Sequence, residues 1–153
     1  MNLFPFFKKK TFFTAEEQVS IVNAITAAEK ETSGEIRLFV ESRCRFVDPV
    51  DRAAEVFFGL KMENTAARNA VLVYVAMKDR QLALFGDSGI HEKVGDLFWN
   101  KSVQAMLSHF NKRNYVEGLV KIIGEIGHSL KGHFPYDKES DINELPDDIV
   151  FGR

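Results

Sequence analysis

Apolar positions along this chain change rhythm several times, and each change marks an element. From Ala15 onward they recur at Ile21, Val22, Ile25 and Ala28, the spacing of a helix that buries one stripe. Thr14-Ala15-Glu16-Glu17 stands before it as a capping box, in which the threonine hydroxyl accepts from the third amide and Glu17 reaches back. Ser33-Gly34 ends the helix. From Glu35 to Glu41 the period falls to two, with Ile36, Leu38 and Val40 on one face and Arg37 on the other, which predicts a strand. Asp48-Pro49 is a helix cap followed by proline at the first helical position. Val50, Ala53, Ala54, Phe57 and Phe58 then form the apolar face of a second helix that Gly59 closes.

A polar loop over 61–68 leads to Ala70–Met77, which is apolar throughout. Such a run predicts a central strand covered on both faces. Lys78-Asp79-Arg80 turns the chain, and Gln81–Phe85 returns as an antiparallel partner. Beyond it Val94, Leu97 and Phe98 form one helical patch. Val103, Met106, Leu107 and Phe110 form another, out of phase with the first, so a break is expected near Asn100. Asn114 caps a last long helix with Val116, Leu119, Val120, Ile123, Ile126 and Leu130 inward, and Gly132 ends it. The parallel strand–helix–strand crossover and the hairpin together predict a small mixed parallel/antiparallel sheet between helices, a three-layer α/β/α sandwich. The divisions are an N-terminal segment over 1–13, the domain over 14–132 and an acidic tail over 133–153, ordered only by contact or not at all.

Composition narrows this little. At 153 residues one core is expected, and 45% apolar with 27% charged residues is ordinary. A net charge of −2 gives no reason to expect nucleic acid. The single cysteine, Cys44, excludes an internal disulfide and fits a cytoplasmic protein. No stretch reaches the roughly 20 apolar residues of a membrane helix. In Met1–Lys10 the lysines follow the apolar run, the reverse of a secretory signal. Phe4, Phe6 and Phe7 beside Lys8–Lys10 are read as a frayed terminus or an added strand, with a membrane surface or a partner as the alternative.

Gly86-Asp87-Ser88-Gly89 is the string that surrounds the nucleophile of trypsin-like proteases. Such a serine needs a base beside it and a third group orienting that base. Here all four histidines follow Ser88 in a short, half-helical chain, and position 90 is Ile90 where a nucleophile elbow needs glycine. A serine protease is excluded. No two histidines stand four apart as zinc ligands on a helix do; His128 and His133 straddle Gly132. Asp137–Asp148 imitates a calcium loop, but Ile142 replaces its glycine and Pro135 and Pro146 leave no room for flanking helices.

Strand direction supplies a better site. The end of the third strand (Gly86, Asp87) meets the start of the second (Arg68, Asn69). The first strand, parallel to the second, also starts there with Gly34-Glu35. Glu35, Asn69, Asp87 and Ser88 offer two carboxylates, an amide and a hydroxyl, which suit a hard cation, calcium or magnesium.

The ordered set Ser33-Gly34-Glu35-Ile36, Arg68–Val73, Lys78-Asp79-Arg80 and Gly86–Ile90 resembles the TPM domain family, named for thylakoid-lumen, photosystem II repair and acetylcholine-receptor-associated members. The resemblance spans roughly 14–132, and Asn143–Asp148 is similar to the tail of short, soluble bacterial members. It implies an α/β/α sandwich, calcium binding as in some members, and acid phosphatase activity as in plant lumenal ones. The family pattern falls on Glu35, Asn69 and Gly86–Gly89. The chain departs from it in having Arg68-Asn69-Ala70 where others often have two asparagines and a glycine, and in lacking a signal and a transmembrane tail. Two functions are therefore expected: a calcium-binding, non-catalytic interaction module with a protein or membrane-associated partner, or a phosphomonoesterase in which Asp87 or Ser88 attacks and Arg68 or Arg80 clamps.

Overall fold

The structure, a computed structural model, describes residues 12–111, 114–137 and 145–152. The aromatic and basic N-terminal run and most of the loop-like acidic string lie outside them. Helix α1 (Ala15–Glu29) begins with both arms of the predicted capping box in place. Strand β1 (Glu35–Glu41) crosses through α2 (Pro49–Gly59) to β2 (Ala70–Ala76), which pairs with β1 in parallel. Strand β3 (Gln81–Gly86) returns antiparallel, and Arg80 takes a positive φ of 50° to close the hairpin. Helices α3 (Ser88–Asn111) and α4 (Tyr115–His133) follow, then a two-residue strand β4 (Val150–Phe151). The sheet order is β3-β2-β1-β4.

Two cores explain the layering. Ile36, Leu38, Val40, Val71, Val73 and Val75 face α1, α3 and α4. Phe39, Leu72, Tyr74 and Ala83 face α2, which brings Ala53 and Phe57. Both β1 and β2 are buried at every position, so Arg37 is enclosed and not, as an alternating half-exposed strand would have it, solvated. The face of α2 is rotated from expectation. Val56 is buried while Val50 and Phe58 are half exposed, because α2 overhangs the rim of β3 and these two side chains project past it. The buried Cys44 thiol donates to Val47 C=O at 3.5 Å behind this layer.

Two expectations are corrected. The break in α3 lies at Gly95 (φ 72°, ψ 175°), inside the first apolar patch and not between the two, and Asn100 is helical. Asn114 makes no side-chain cap bond, and α4 ends at His133, one residue past Gly132. Of the two alternatives for the tail, its described end takes order by contact. Val150–Phe151 pairs with Phe39–Val40, Gly152 N–H donates to Val40 C=O at 2.8 Å, and Leu145 is buried against the α2 core. Phe12 and Phe13 pack beside Phe151, so packing continues past 14–132 at both ends.

Helix α4 approaches α1 closely at Gly127, where an added Cβ would stand 2.6 Å from Ala28 Cβ. Gly124, one turn earlier and exposed, has nothing within 4 Å of an added Cβ. Gly127→Val should therefore destabilise by about 1–3 kcal/mol through overpacking. Gly124→Ala should stabilise by roughly 0.5–1 kcal/mol through helix propensity. Urea unfolding of the two variants checks both signs.

Candidate functional site

The predicted convergence at the strand starts exists, but it is two arrangements and not one shell. The first is the Gly-Asp-Ser-Gly turn. Asp87 is 3% exposed and caps α3: its C=O accepts from Ile90 N–H (3.1 Å) and His91 N–H (2.9 Å), and its Oδ1 from Ser88 N–H (2.7 Å). Arg68 grips the same carboxylate with two donors, Nε to Oδ2 at 2.7 Å and NH2 to Oδ1 at 2.8 Å. This bidentate pair is the strong form of an ion pair, and it raises the Arg68 pKa through the Asp87 hydrogen bonds. Gly89 is required because its N–H reaches Arg68 C=O at 2.8 Å, so close that any Cβ would strike the Ala67 and Arg68 carbonyls. Gly86 lets the Trp99 ring lie against the strand. The four-residue string thus fastens a strand end to a helix start.

The second arrangement lies across Ala70. Glu35 and Asp87 both register with Ala70, one from each side, which sets them about 9–10 Å apart by two strand spacings. Glu35 is buried and its Oε1 accepts from Leu145 N–H at 3.0 Å. Asn69, 1% exposed, donates Nδ2 to Ser33 Oγ at 3.3 Å, and its C=O accepts from Glu35 N–H at 3.5 Å. Asn69 Oδ1 is buried with no partner among the described residues.

These geometries decide what each predicted ligand can do. Asp87 has both oxygens engaged by a guanidinium, which occupies the position a cation would take. Glu35 and Asn69 Oδ1 are hard oxygen donors on adjacent strands, and the unmatched amide oxygen fits a cation. Among the described residues, no three Asp, Glu, His or Cys side chains gather as a metal-binding group. Among the described residues Ser88 has no base in hydrogen-bond contact; the nearest histidine along α3, His91, uses Nδ1 to accept from Trp99 Nε1 at 3.0 Å. Arg80 sits at the hairpin turn, at the far end of β3 from Asp87.

Two polar groupings escaped the sequence reading. Glu29 Oε2 accepts from Ile36 N–H at 2.6 Å, and Thr26 Oγ1 donates to Asp147 of the tail at 3.2 Å. Burial pushes the Glu29 carboxyl up to about 10, helped by a hydrogen bond with Asp147 and opposed by the Ile36 amide. The signal was present: Glu29 stands four residues after Ile25 on the buried stripe. At the opposite end of the sheet, Arg52 grips Glu41 with Nε (2.9 Å) and NH2 (3.0 Å), and Tyr74 OH donates to the same carboxylate. Both the Arg52 and Tyr74 pKa values are raised, Arg52 mainly by Glu41 and Tyr74 mainly by burial.

The TPM domain model matches residues 7–129. The chain belongs to the TPM domain family. This TPM domain superposes on the NMR structure of BA42 from the psychrophilic bacterium Bizionia argentinensis with a TM-score of 0.86 and 45% identity, covering 95% of this chain and 99% of that one. The N-terminal domain of cg2496 from Corynebacterium glutamicum matches at TM-score 0.61 and 12% identity, covering 91% and 80%. The N-terminal domain of a P. gingivalis protein matches at 0.66 and 15%, covering 82% of each. The last two share the fold alone. No curated protein matches the chain. No helix among the described residues is long and apolar enough to cross a membrane.

The Glu29 carboxyl gives a pH test. Its folded pKa of about 10 lies above the ordinary 4.5, so the folded state holds a proton that the unfolded chain releases. Its stabilisation is complete below about pH 4.5 and is lost as pH climbs toward 10. Glu29→Gln keeps an acceptor for Ile36 and a donor for Asp147 without the titration. The variant should lose less stability than wild type between about pH 6 and pH 9, as read by urea midpoints at each pH.

Proposed function

We propose that this TPM domain is a non-catalytic binding module that takes a divalent cation, calcium before magnesium, at the start of β1 and β2. The observation that carries this is Asn69 Oδ1, a buried acceptor with no donor among the described residues. Leaving such a group unmatched costs about 1–3 kcal/mol, and a bound cation removes that cost. Glu35 would supply the charge, Asn69 the amide oxygen, and nearby hydroxyl or carbonyl oxygens the remainder. Asp87 and Ser88 would join only after Arg68 swings away, so Arg68 competes with the cation for Asp87. Two carboxylates, one of them held by arginine, predict weak affinity, on the order of 10⁻⁴–10⁻³ M, because ligand charge and rigidity set strength.

The non-catalytic half rests on Ser88. It has no activating base among the described residues, and Arg68, which would clamp a phosphoryl group, is spent on Asp87. Phosphomonoester hydrolysis is the competing outcome, and the single thiol of Cys44 supports a cytoplasmic location.

A calcium titration followed by backbone NMR tests the reading. Shifts should centre on Ser33–Glu35 and Arg68–Asn69. Asn69→Asp should tighten binding at least tenfold by adding a charge, about 1.4 kcal/mol or more. Asp87→Asn should weaken it about tenfold if Asp87 joins the shell. Ser88→Ala should leave no hydrolytic rate to lose on p-nitrophenyl phosphate with or without metal. Shifts confined to the acidic tail would remove the site, and a metal-dependent rate lost in Ser88→Ala would replace the module with an enzyme.

A further inference from the structure

The two edges of the sheet are treated unequally. The β1 edge is closed three ways: β4 pairs with it, Gly152 N–H bonds Val40 C=O, and the Glu29 carboxyl takes the Ile36 amide that β4 does not reach. The β3 edge has no paired strand among the described residues, although α2 overhangs its rim and Leu82, Ala83 and Leu84 are buried. Asp87 N–H donates to Ala70 C=O at 2.9 Å, which sets the parity of the antiparallel ladder. The odd-numbered residues of β3 bond β2, and Leu82, Leu84 and Gly86 point their backbone groups away from it. No hydrogen bond to these outward groups exists among the described residues. Natural edges are usually blunted by proline, charge or a bulge. Gln81–Gly86 has none of these and keeps unbroken register with β2.

A groove of about 550 Å³ lies beside the last part of this edge, from Leu84 to Gly86 and on to Asp87. Val50 and Phe58 of α2 form one wall, each at least half exposed, with Phe58 stacked edge-on against Phe85. Trp99 of α3 forms the other. At the end near α3, Arg68 and Asp87 cancel each other. Asp96 remains, 88% exposed and 3.6 Å from His91 Nε2.

We propose that the β3 edge binds an extended peptide segment of a partner protein as a fifth strand. The occupant is set by the chemistry of the groove. Outward amides and carbonyls on alternate residues demand an extended backbone, and the two walls accept side chains that alternate from face to face. The α2 side takes an aromatic or branched aliphatic residue between Val50 and Phe58, and Asp96 takes a lysine or arginine. This proposal develops the partner-binding half of the module reading and owes nothing to the cation.

The test pans a random dodecapeptide library on phage against the full chain in calcium-free buffer with chelator, with Phe58→Asp panned in parallel. Wild type should enrich peptides that alternate apolar and polar residues and carry a basic one. A synthetic peptide of the leading sequence should slow amide exchange at Leu82, Leu84 and Gly86 at least tenfold. Its affinity should fall at least tenfold with Phe58→Asp, whose ring meets Phe57 and Phe85 edge-on and whose urea midpoint is therefore compared with wild type, and severalfold with Asp96→Lys on the exposed rim. Three results overturn the proposal: no enrichment over Phe58→Asp, bound peptide with unchanged exchange at those amides, or a dimer in sedimentation equilibrium that protects the same amides without peptide. Because calcium is absent throughout, failure here is separate from failure of the cation titration.

Discussion

The demand of β2 to be buried on both faces organises this domain. All seven of its residues are fully enclosed. A strand of that kind needs a helical layer above and below and a paired strand at each side, since its backbone groups cannot stay unbonded away from water. The crossover through α2 supplies one layer and one neighbour; the hairpin supplies the other neighbour; α1, α3 and α4 supply the second layer. Most polar side chains are then pushed to the ends and rims of the sheet, with Arg37 and the Tyr74 hydroxyl enclosed.

At each end a carboxylate meets an arginine held in two-point contact. Asp87 and Arg68 stand where the strands β1 and β2 begin, Glu41 and Arg52 where they finish. In both pairs the carboxylate is enclosed and the arginine partly solvated. Planar two-point contact fixes orientation as well as charge. The first pair joins the start of α3 to the loop before β2, and the second joins α2 to the end of β1, so each locks an element to a strand it does not follow directly in space.

Much of the fold was legible because period and punctuation agreed. The limits of β1 and α2, and the parallel and antiparallel pairings, follow from Thr14, Asp48-Pro49, the run 70–77 and the turn at 78–80. What was hidden shares one cause: it depends on contacts between distant segments. Val150–Phe151 is too short to show alternation and becomes a strand only because β1 offers an edge. The apolar pattern places the break near Asn100, whereas the chain breaks at Gly95, where glycine takes a positive φ. The candidate site was legible as a place, since strand directions bring 35, 69 and 87 to one rim. It was not legible as chemistry. Arg68 was named beside the set, yet a sequence cannot tell a guanidinium that lines a rim from one that already holds the carboxylate.

Cys44 gives the molecule an internal reporter. The only thiol in the chain lies beneath the α2 layer, bonded to Val47 C=O, with its own amide held by Asp79 at 2.8 Å. A reagent that modifies thiols meets it only when the loop before α2 lifts from the sheet. The rate of that reaction, compared with the rate in urea, measures how often this corner opens without a label having to be introduced. The same burial keeps two copies from cross-linking through sulfur while they remain folded.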